Sequence, residues 1–148
     1  GYFGVHTWIA VKPTDALEFT VYEVMGWRAY RGRNVIAISN RTPDRKWFGA
    51  APEILADVRG DGVDAMIKDV ETVVKAYPYS HNYTVWPGPN SNTFTAHVAR
   101  AVPDLRLDLQ LTAVGKDYIL GGGVFVRAPS GSGYQVSLFG LLGLMVAK

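Results

Sequence analysis

The 148-residue chain is 48% hydrophobic and 19% charged with a net charge of +2, which fits a single globular domain over residues 1–148 and excludes a disordered chain. Because the sequence has no cysteine, it excludes disulfides, thiolate metal sites and a cysteine nucleophile. The longest apolar run, residues 138–147, is about half of the roughly 20 residues that a membrane span needs. That run therefore predicts a core strand or an interfacial patch.

Three apolar segments near the amino terminus predict strands over residues 3–11, 16–27 and 35–38. The links between them are short, and the second link, residues 28–34, is a charged turn. Short links between consecutive strands favour an antiparallel meander.

Two helices are predicted in the middle of the chain. A short one over residues 53–58 begins after Pro52 and is stopped by Gly60. The second, over residues 63–77 with Asp61 as its cap, has the clearest helical periodicity in the chain. Its apolar positions are Val63, Met66, Ile67, Val70, Val73, Val74 and Tyr77.

The stretch over residues 86–100, WPGPNSNTFTAHVAR, predicts a strand-like entry, a tight turn and a helix over residues 92–101. Two prolines stop the strand because each lacks a backbone donor. Asn90 or Ser91 then caps the helix, and Pro103 ends it. A hydroxyl at such a helix start lies among unpaired N–H groups at the positive end of the helix dipole.

The last third of the chain predicts more extended structure. Residues 104–113 alternate polar and leucine positions, which indicates a half-exposed strand or an extended arm. Strands follow over residues 124–127 and 134–138, and the three glycines at 121–123 indicate a bend, not a phosphate loop. Together the elements predict an α+β fold, an antiparallel sheet packed against helices.

A serine hydroxyl needs a general base within hydrogen-bond reach, and the base needs an orienting acceptor. We expect Ser91 as nucleophile and His6 as base. Glu23 is the best candidate orienter and Glu18 the second, while an ion pair of Glu23 with Arg28 or Arg31 is an equally good explanation of that carboxylate.

Four further residues are candidates for binding an oxyanion or substrate near Ser91. They are Asn90, Asn92, Trp86 and His81, together with the backbone amides of Ser91 and Asn92. His97 is a poor base for Ser91 because six residues of helix place the two side chains on opposite sides.

No metal, cofactor or nucleic-acid partner is expected. The histidines lack metal-binding spacing, and Asp57, Asp61 and Asp64 bracket a helix start, where they act as cap and dipole partners. The densest basic cluster, in residues 28–33, is expected to be a solvated turn.

The chain resembles a bacterial family known as DUF3750. The resemblance rests on HTWIAVKP at residues 6–13, YEVMGW at 22–27, WPGPNSNTFTAHVARAVP at 86–103 and SLFGLLGL at 137–144. It implies a location at the bacterial cell envelope, because members resemble proteins anchored there by an amino-terminal hydrophobic segment. Membrane association is expected through segments outside this chain or through its apolar carboxyl-terminal end.

A more distant resemblance is to circularly permuted papain-like proteins, the NlpC/P60 and lecithin:retinol acyltransferase group. That group has a histidine on an early strand and a later N-C-x-x-F helix start. Here HTWIAV at residues 6–11 is similar to the first pattern and NSNTF at 90–94 to the second, with Ser91 at the cysteine position. The resemblance implies a permuted papain-like arrangement, with a weaker nucleophile because a hydroxyl is far less ionised than a thiol.

These patterns predict a hydrolase or acyltransferase that acts on an amide or ester, with a peptidoglycan peptide, a lipid or another small molecule as substrate. The alternative is a catalytically inactive envelope protein of the same fold that binds or acts as a scaffold. A minor third possibility is a peptide-binding groove lined by Trp47, Trp86 and Tyr79.

Overall fold

Two three-stranded antiparallel sheets and three helices make up the computed structural model, which describes residues 5–119, 121, 124–128, 133–138 and 142–147. The first sheet has the order β1 (Trp8–Val11), β2 (Thr20–Val24) and β3 (Ile36–Asn40). Both pairs are antiparallel, with Trp8 opposite Glu23 and Glu23 opposite Ala37. The predicted meander and the α+β class are confirmed.

The first two strands of this sheet are shorter than predicted, whereas the third, predicted over residues 35–38, is Ile36–Asn40. Residues 5–7 are not in a strand, and residues 3 and 4 of the predicted first strand lie outside the described residues. The second strand ends at Val24, and helix α1 (Gly26–Ala29) follows. A Cβ added to Gly26 would lie 2.6 Å from the Tyr83 ring, so this close approach, which the apolar pattern does not reveal, accompanies the change from strand to helix.

One face of the first sheet packs against helices α2 (Val63–Lys75) and α3 (Ser91–Ala101). The core between them includes Ile9, Val24, Val70, Phe94 and Val98, all buried. Alternation along β1 and β2 places Trp8 and Glu23 on the other face. The sheet therefore separates an apolar face under the helices from a face that carries a buried carboxylate.

Two details of the helices differ from the predictions. Residues 53–58 form no helix: Ile54 is exposed and Leu55 is only half-buried, so one turn there has no apolar face to bury. Asp61 does not cap α2, because Gly62, at φ +84°, is the capping residue and no side chain bonds the first turn.

The predicted half-exposed strand or extended arm over residues 104–113 is not a strand: it begins in a 3₁₀ turn at Pro103–Leu105 and continues as an irregular arm. Leu107 and Leu109 are buried in a small cluster with Ala96 and Ala99 of α3, whereas Leu111 is 91% exposed. The arm therefore covers the side of α3 that the first sheet does not.

The second sheet has the order β4 (Phe125–Arg127), β5 (Gly133–Leu138) and β6 (Leu142–Ala147). Strand β6 occupies most of the apolar run at 138–147, and the predicted bend at residues 122–123 lies outside the described residues. Within the described part of the chain, none of the helices combines the length and apolar character of a membrane-spanning segment.

A polar network joins α3 to the second sheet. One terminal guanidinium nitrogen of Arg100 donates to Lys116 O and to Gln135 Oε1, each over 2.8 Å. Gln135 Nε2 donates to Asp117 Oδ1, which also accepts from Lys116 Nζ over 2.9 Å. Arg100 is largely buried, so water does not satisfy this guanidinium nitrogen, and the two acceptors of the network do so instead.

Candidate functional site

The His6 imidazole is hydrogen-bonded to the Glu23 carboxylate, with 3.3 Å between Nε2 and Oε2. His6 lies two residues before Trp8, and Glu23 is opposite Trp8 in the register, so both side chains lie on the same face of the sheet. A carboxylate only accepts hydrogen bonds, so Nε2 carries the proton in this pair. In the neutral imidazole Nδ1 is then the basic nitrogen.

Glu23 is a buried carboxylate, 4% exposed, that is held by two partners. Arg41 donates to its other oxygen, Oε1, over 3.3 Å. Burial by itself raises the pKa of Glu23, but the hydrogen bond from His6 and the charge and hydrogen bond of Arg41 bring that pKa below its ordinary value. The carboxylate is therefore ionised at neutral pH and able to orient the imidazole.

The cation beside Glu23 is neither Arg28 nor Arg31, the partners considered from the sequence, but Arg41. Arg41 directly follows β3, whose partner strand β2 carries Glu23. The sequence does contain a signal for this pair: Arg41 is a cation directly after the strand that neighbours the strand of Glu23. The prediction considered only arginines in the turn after the Glu23 strand, so it did not include Arg41.

Aromatic rings enclose the imidazole. Trp47 stacks on His6, with ring centroids 4.0 Å apart and planes 13° apart, and Trp8 lies 5.9 Å away at a tilt. Trp8 Nε1 donates to Pro43 O over 3.1 Å, which holds the segment containing Trp47 over this face of the sheet. Arg41 also lies over the Trp8 ring, 5.5 Å from its centroid. Packing and the hydrogen bond to Glu23 therefore hold the imidazole on this face of the sheet.

Asn90, one of the two caps predicted from the sequence, caps helix α3, and Ser91, the other, is the first residue of the helix. Its Oδ1 accepts from the backbone amides of Asn92 and Thr93 over 3.0 and 3.1 Å. Thr93 Oγ1 accepts in turn from the Asn90 backbone amide, which completes a capping box. Asn90 Nδ2 donates to the carbonyls of Val85 and Val114, so its polar atoms are fully used in structural hydrogen bonds.

Asn92 ties the amino-terminal segment to the same helix start. Its Nδ2 donates to Val5 O over 2.9 Å and to Val114 O over 2.8 Å. Its Oδ1 accepts from Thr7 Oγ1 over 3.0 Å, and the same hydroxyl lies 3.4 Å from Ser91 O. The residues on either side of His6 therefore contact the first turn of α3.

Ser91 is the first residue of α3 and is buried. Among the described residues no hydrogen bond joins its hydroxyl to His6, because Thr7 faces the helix while His6 points to Glu23. Of the predicted oxyanion donors, the Asn90 side chain and the Asn92 amide are engaged in the cap. Of the predicted donors at the helix start itself, the Ser91 backbone amide is the one that makes no hydrogen bond among the described contacts.

Trp86 and His81 are both exposed and lie in the connection that precedes the cap. The peptide bonds Trp86-Pro87 and Gly88-Pro89 are both cis. Within the described chain, neither side chain makes a ring contact or hydrogen bond with His6 or Ser91.

Trp47 and Tyr79 of the hypothetical peptide groove belong to separate aromatic groups, one on His6 and the other on Tyr77 and Tyr118. The described residues also contain no group of three or more histidine, aspartate or glutamate side chains suited to a metal ion.

Comparison with known proteins gives one match. No curated protein and no solved structure is significantly similar to the chain. A family model described as a protein of unknown function, DUF3750, matches residues 1–118, which include β1–β3, α1–α3 and every residue of the candidate site. The chain therefore belongs to the DUF3750 family.

Proposed function

We propose that this domain is a hydrolase or acyltransferase of the bacterial cell envelope, in a permuted papain-like arrangement, that acts on an amide or ester of a peptidoglycan peptide or a lipid. The observation that carries the proposal is the His6–Glu23 pair, a histidine oriented by a buried, ionised carboxylate. The order of the elements adds support, because the base precedes the first strand and the nucleophile begins a later helix.

In this proposal Glu23 holds the Nε2–H of His6 and leaves Nδ1 to take the proton of the Ser91 hydroxyl. The serine oxygen then forms a bond to the carbonyl carbon of the substrate, and the carbonyl electrons move to its oxygen. When the tetrahedral intermediate collapses, the amine or alcohol leaves with the proton from Nδ1. Water or an acyl acceptor then releases the acyl group from Ser91 by the same steps, with His6 again as base.

The oxyanion would be bound by the Ser91 backbone amide at the start of α3, where the helix dipole favours negative charge. The reaction requires His6 Nδ1 and Ser91 Oγ to come within hydrogen-bond reach in the substrate complex, where catalytic contacts often tighten. Glu23 and Trp47 hold the imidazole on the face of the sheet away from α3, so the segment that carries His6 has to shift when substrate binds.

A fluorophosphonate probe tests the nucleophile. Labelling of the wild type is expected to be lost in Ser91→Ala and to fall by roughly 100-fold or more in His6→Asn. Ser80→Ala, at a half-buried serine outside the site, is the matched control and should label as the wild type does. Absence of labelling in every protein, or equal labelling of wild type and Ser91→Ala, contradicts the serine mechanism.

The second candidate function is an inactive binding or scaffold protein of the envelope. It is favoured by the engagement of Asn90 and Asn92 in structural hydrogen bonds and by the missing bond between Ser91 and His6. On this alternative, neither the wild type nor Ser91→Ala is labelled, and Glu23→Gln changes stability alone. The fluorophosphonate experiment therefore distinguishes the two candidates.

A further inference from the structure

Two exposed segments, residues 26–33 and 44–48, are brought together by stacked tryptophans. The Trp27 and Trp47 rings lie 6.4 Å apart with planes 11° apart, and Phe48 packs edge-on against Trp47 at 5.1 Å. Within the first segment Trp27 and Tyr30 are spaced i and i+3 on helix α1 and its cap, so these two side chains share one side. We call these two segments the aromatic–basic surface.

Large aromatic side chains point into solvent on this surface. Phe48 is 93% exposed, Tyr30 84% and Trp27 50%. Single exposed hydrophobic residues are ordinary, but three aromatic ones on two touching segments form a patch of the kind that marks an interaction site.

Phe48 is held outward by an unfavourable backbone. Trp47 and Ala50 exchange both backbone hydrogen bonds, at 2.9 and 3.0 Å, which leaves Phe48 and Gly49 as a two-residue turn. Their φ values are +46° and +85°, the left-handed region in which asparagine or glycine is preferred over a bulky residue. Phenylalanine stabilises this turn less than asparagine would, and its ring is exposed to solvent. A contact of the ring with a binding partner would offset that loss of stability.

Charge is concentrated on the same part of the chain. Residues 26–48 contain six arginine or lysine residues and one aspartate, a net charge of +5, whereas the rest of the chain contains nine cations and twelve anions, a net charge of −3. One of the six, Arg41, is paired with Glu23. The others lie on the aromatic–basic surface: Arg28, Arg31, Arg33, Arg45 and Lys46.

We propose that the aromatic–basic surface binds the anionic headgroup layer of a lipid bilayer, with Phe48 inserted and the arginines on the lipid phosphates. Aromatic rings prefer the membrane–water interface, and cations next to them are attracted by anionic lipids. A single-stranded nucleic acid offers the same charge complementarity and can stack its bases on exposed rings. We favour the bilayer because the Phe48 ring projects from the tip of a two-residue turn beside cations, an arrangement that lets the ring enter the headgroup layer while the cations remain on the phosphates. The proposal does not depend on catalysis by Ser91.

Co-sedimentation with vesicles tests the proposal. Binding to phosphatidylglycerol–phosphatidylcholine vesicles is expected to exceed binding to phosphatidylcholine alone and to weaken as salt is added. Phe48→Asn removes the ring while fitting the turn better, and should lower the partition coefficient several-fold without lowering stability. Arg31→Ser/Arg33→Ser should lower it by roughly tenfold or more.

Two matched variants control for loss of hydrophobicity and of charge. Leu111→Ser removes an equally exposed apolar side chain from the arm, and Lys68→Ser/Lys75→Ser removes two exposed cations from α2. Both should bind vesicles as the wild type does, and Ser91→Ala should too. Vesicles with brominated acyl chains should quench the tryptophan fluorescence of the wild type.

The proposal is overturned if anionic vesicles bind no better than neutral ones, or if either surface variant binds as tightly as its matched control. Anisotropy with a labelled single-stranded oligonucleotide tests the other polyanion. Binding of the oligonucleotide without binding of vesicles also overturns the membrane proposal.

Discussion

Asn92 donates its side-chain amide to the carbonyl oxygen of Val5 over 2.9 Å, so a helix in the second half of the chain holds the segment that precedes the first strand. The side-chain oxygen of Asn92 accepts a hydrogen bond from the hydroxyl of Thr7, two residues after Val5. Asn92 therefore fixes the backbone on both sides of His6. The position of the candidate base depends on the helix that carries the candidate nucleophile.

Removal of this tie should destabilise the whole domain. Asn92→Ala leaves the buried carbonyls of Val5 and Val114 with one donor fewer, and the Thr7 hydroxyl with one acceptor fewer. We expect a loss of about 2–4 kcal/mol in the free energy of unfolding, measured by urea denaturation. Asn82→Ala, at an exposed asparagine, is the control and should change that free energy by less than about 0.5 kcal/mol. A loss in Asn92→Ala no larger than the control would mean that the tie does not stabilise the fold.

Gly115 is required beside the cap. A Cβ built on it would overlap the Asn90 side chain, and its φ is +93°. Gly60 has a similar φ of +98° but open space around it. Gly60→Ala should therefore lower the free energy of unfolding by about 1 kcal/mol, because a positive φ strains the backbone of alanine. Gly115→Ala should lower it by at least about 2 kcal/mol more, because its Cβ also displaces the capping Asn90 side chain. Equal losses in the two variants, measured by thermal unfolding, would show that the overlap is relieved without disturbing Asn90.

Glu23 should make the protein sensitive to acid. Because its pKa is lowered in the folded state, its contribution to stability is fully present above its ordinary value of 4.5 and is lost as the pH falls through the folded value. The wild type should be more stable than Glu23→Gln at pH 7, and the difference should narrow below about pH 4.5. Asp57→Asn, at a fully exposed ion pair, should show little change at either pH. A constant difference between wild type and Glu23→Gln across this range would contradict the argument.

His97 should give a second pH dependence at higher pH. Burial and then the charge of Arg100 lower its pKa below the ordinary value of 6.5, so the unfolded chain binds a proton that the folded protein resists. Stability should therefore fall as the pH drops below about 6.5, until the folded histidine is also protonated. His97→Gln should flatten the plot of melting temperature against pH between 5 and 8, because it removes a histidine whose pKa differs between the folded and unfolded protein. An unchanged plot in His97→Gln would contradict the argument.

Much of the local structure could be predicted from the sequence because it depends on neighbours in the chain. The periodicity of α2 and the capping asparagine before α3 are local signals, and both elements formed within two residues of the predicted bounds. The prediction of a helix at 53–58 is wrong. Pro52 and Gly60 indicate where a helix could begin and end, but not that one forms. Whether a helix forms there depends on an apolar surface to cover, and the half-buried Leu55 and Val58 do not supply it.

The candidate site was predictable only in part, because its contacts span strands and loops whose register the sequence does not reveal. Glu23 lies beside His6 because β1 and β2 pair with Trp8 opposite Glu23. A shift of one residue would have moved the carboxylate to the other face of the sheet. Arg41 and the Trp47 ring that covers His6 come from the segment after β3. Nothing in the sequence alone states where an irregular segment will fold back.

The bond between Arg100 and Gln135 has a practical consequence for anyone choosing fragment borders for expression. The family match stops at residue 118, and Gln135 lies beyond it. A polypeptide trimmed to the match would keep the inward-pointing guanidinium and discard its carboxamide acceptor. Recombinant versions should therefore retain the carboxyl-terminal sheet, even though the family profile does not extend that far.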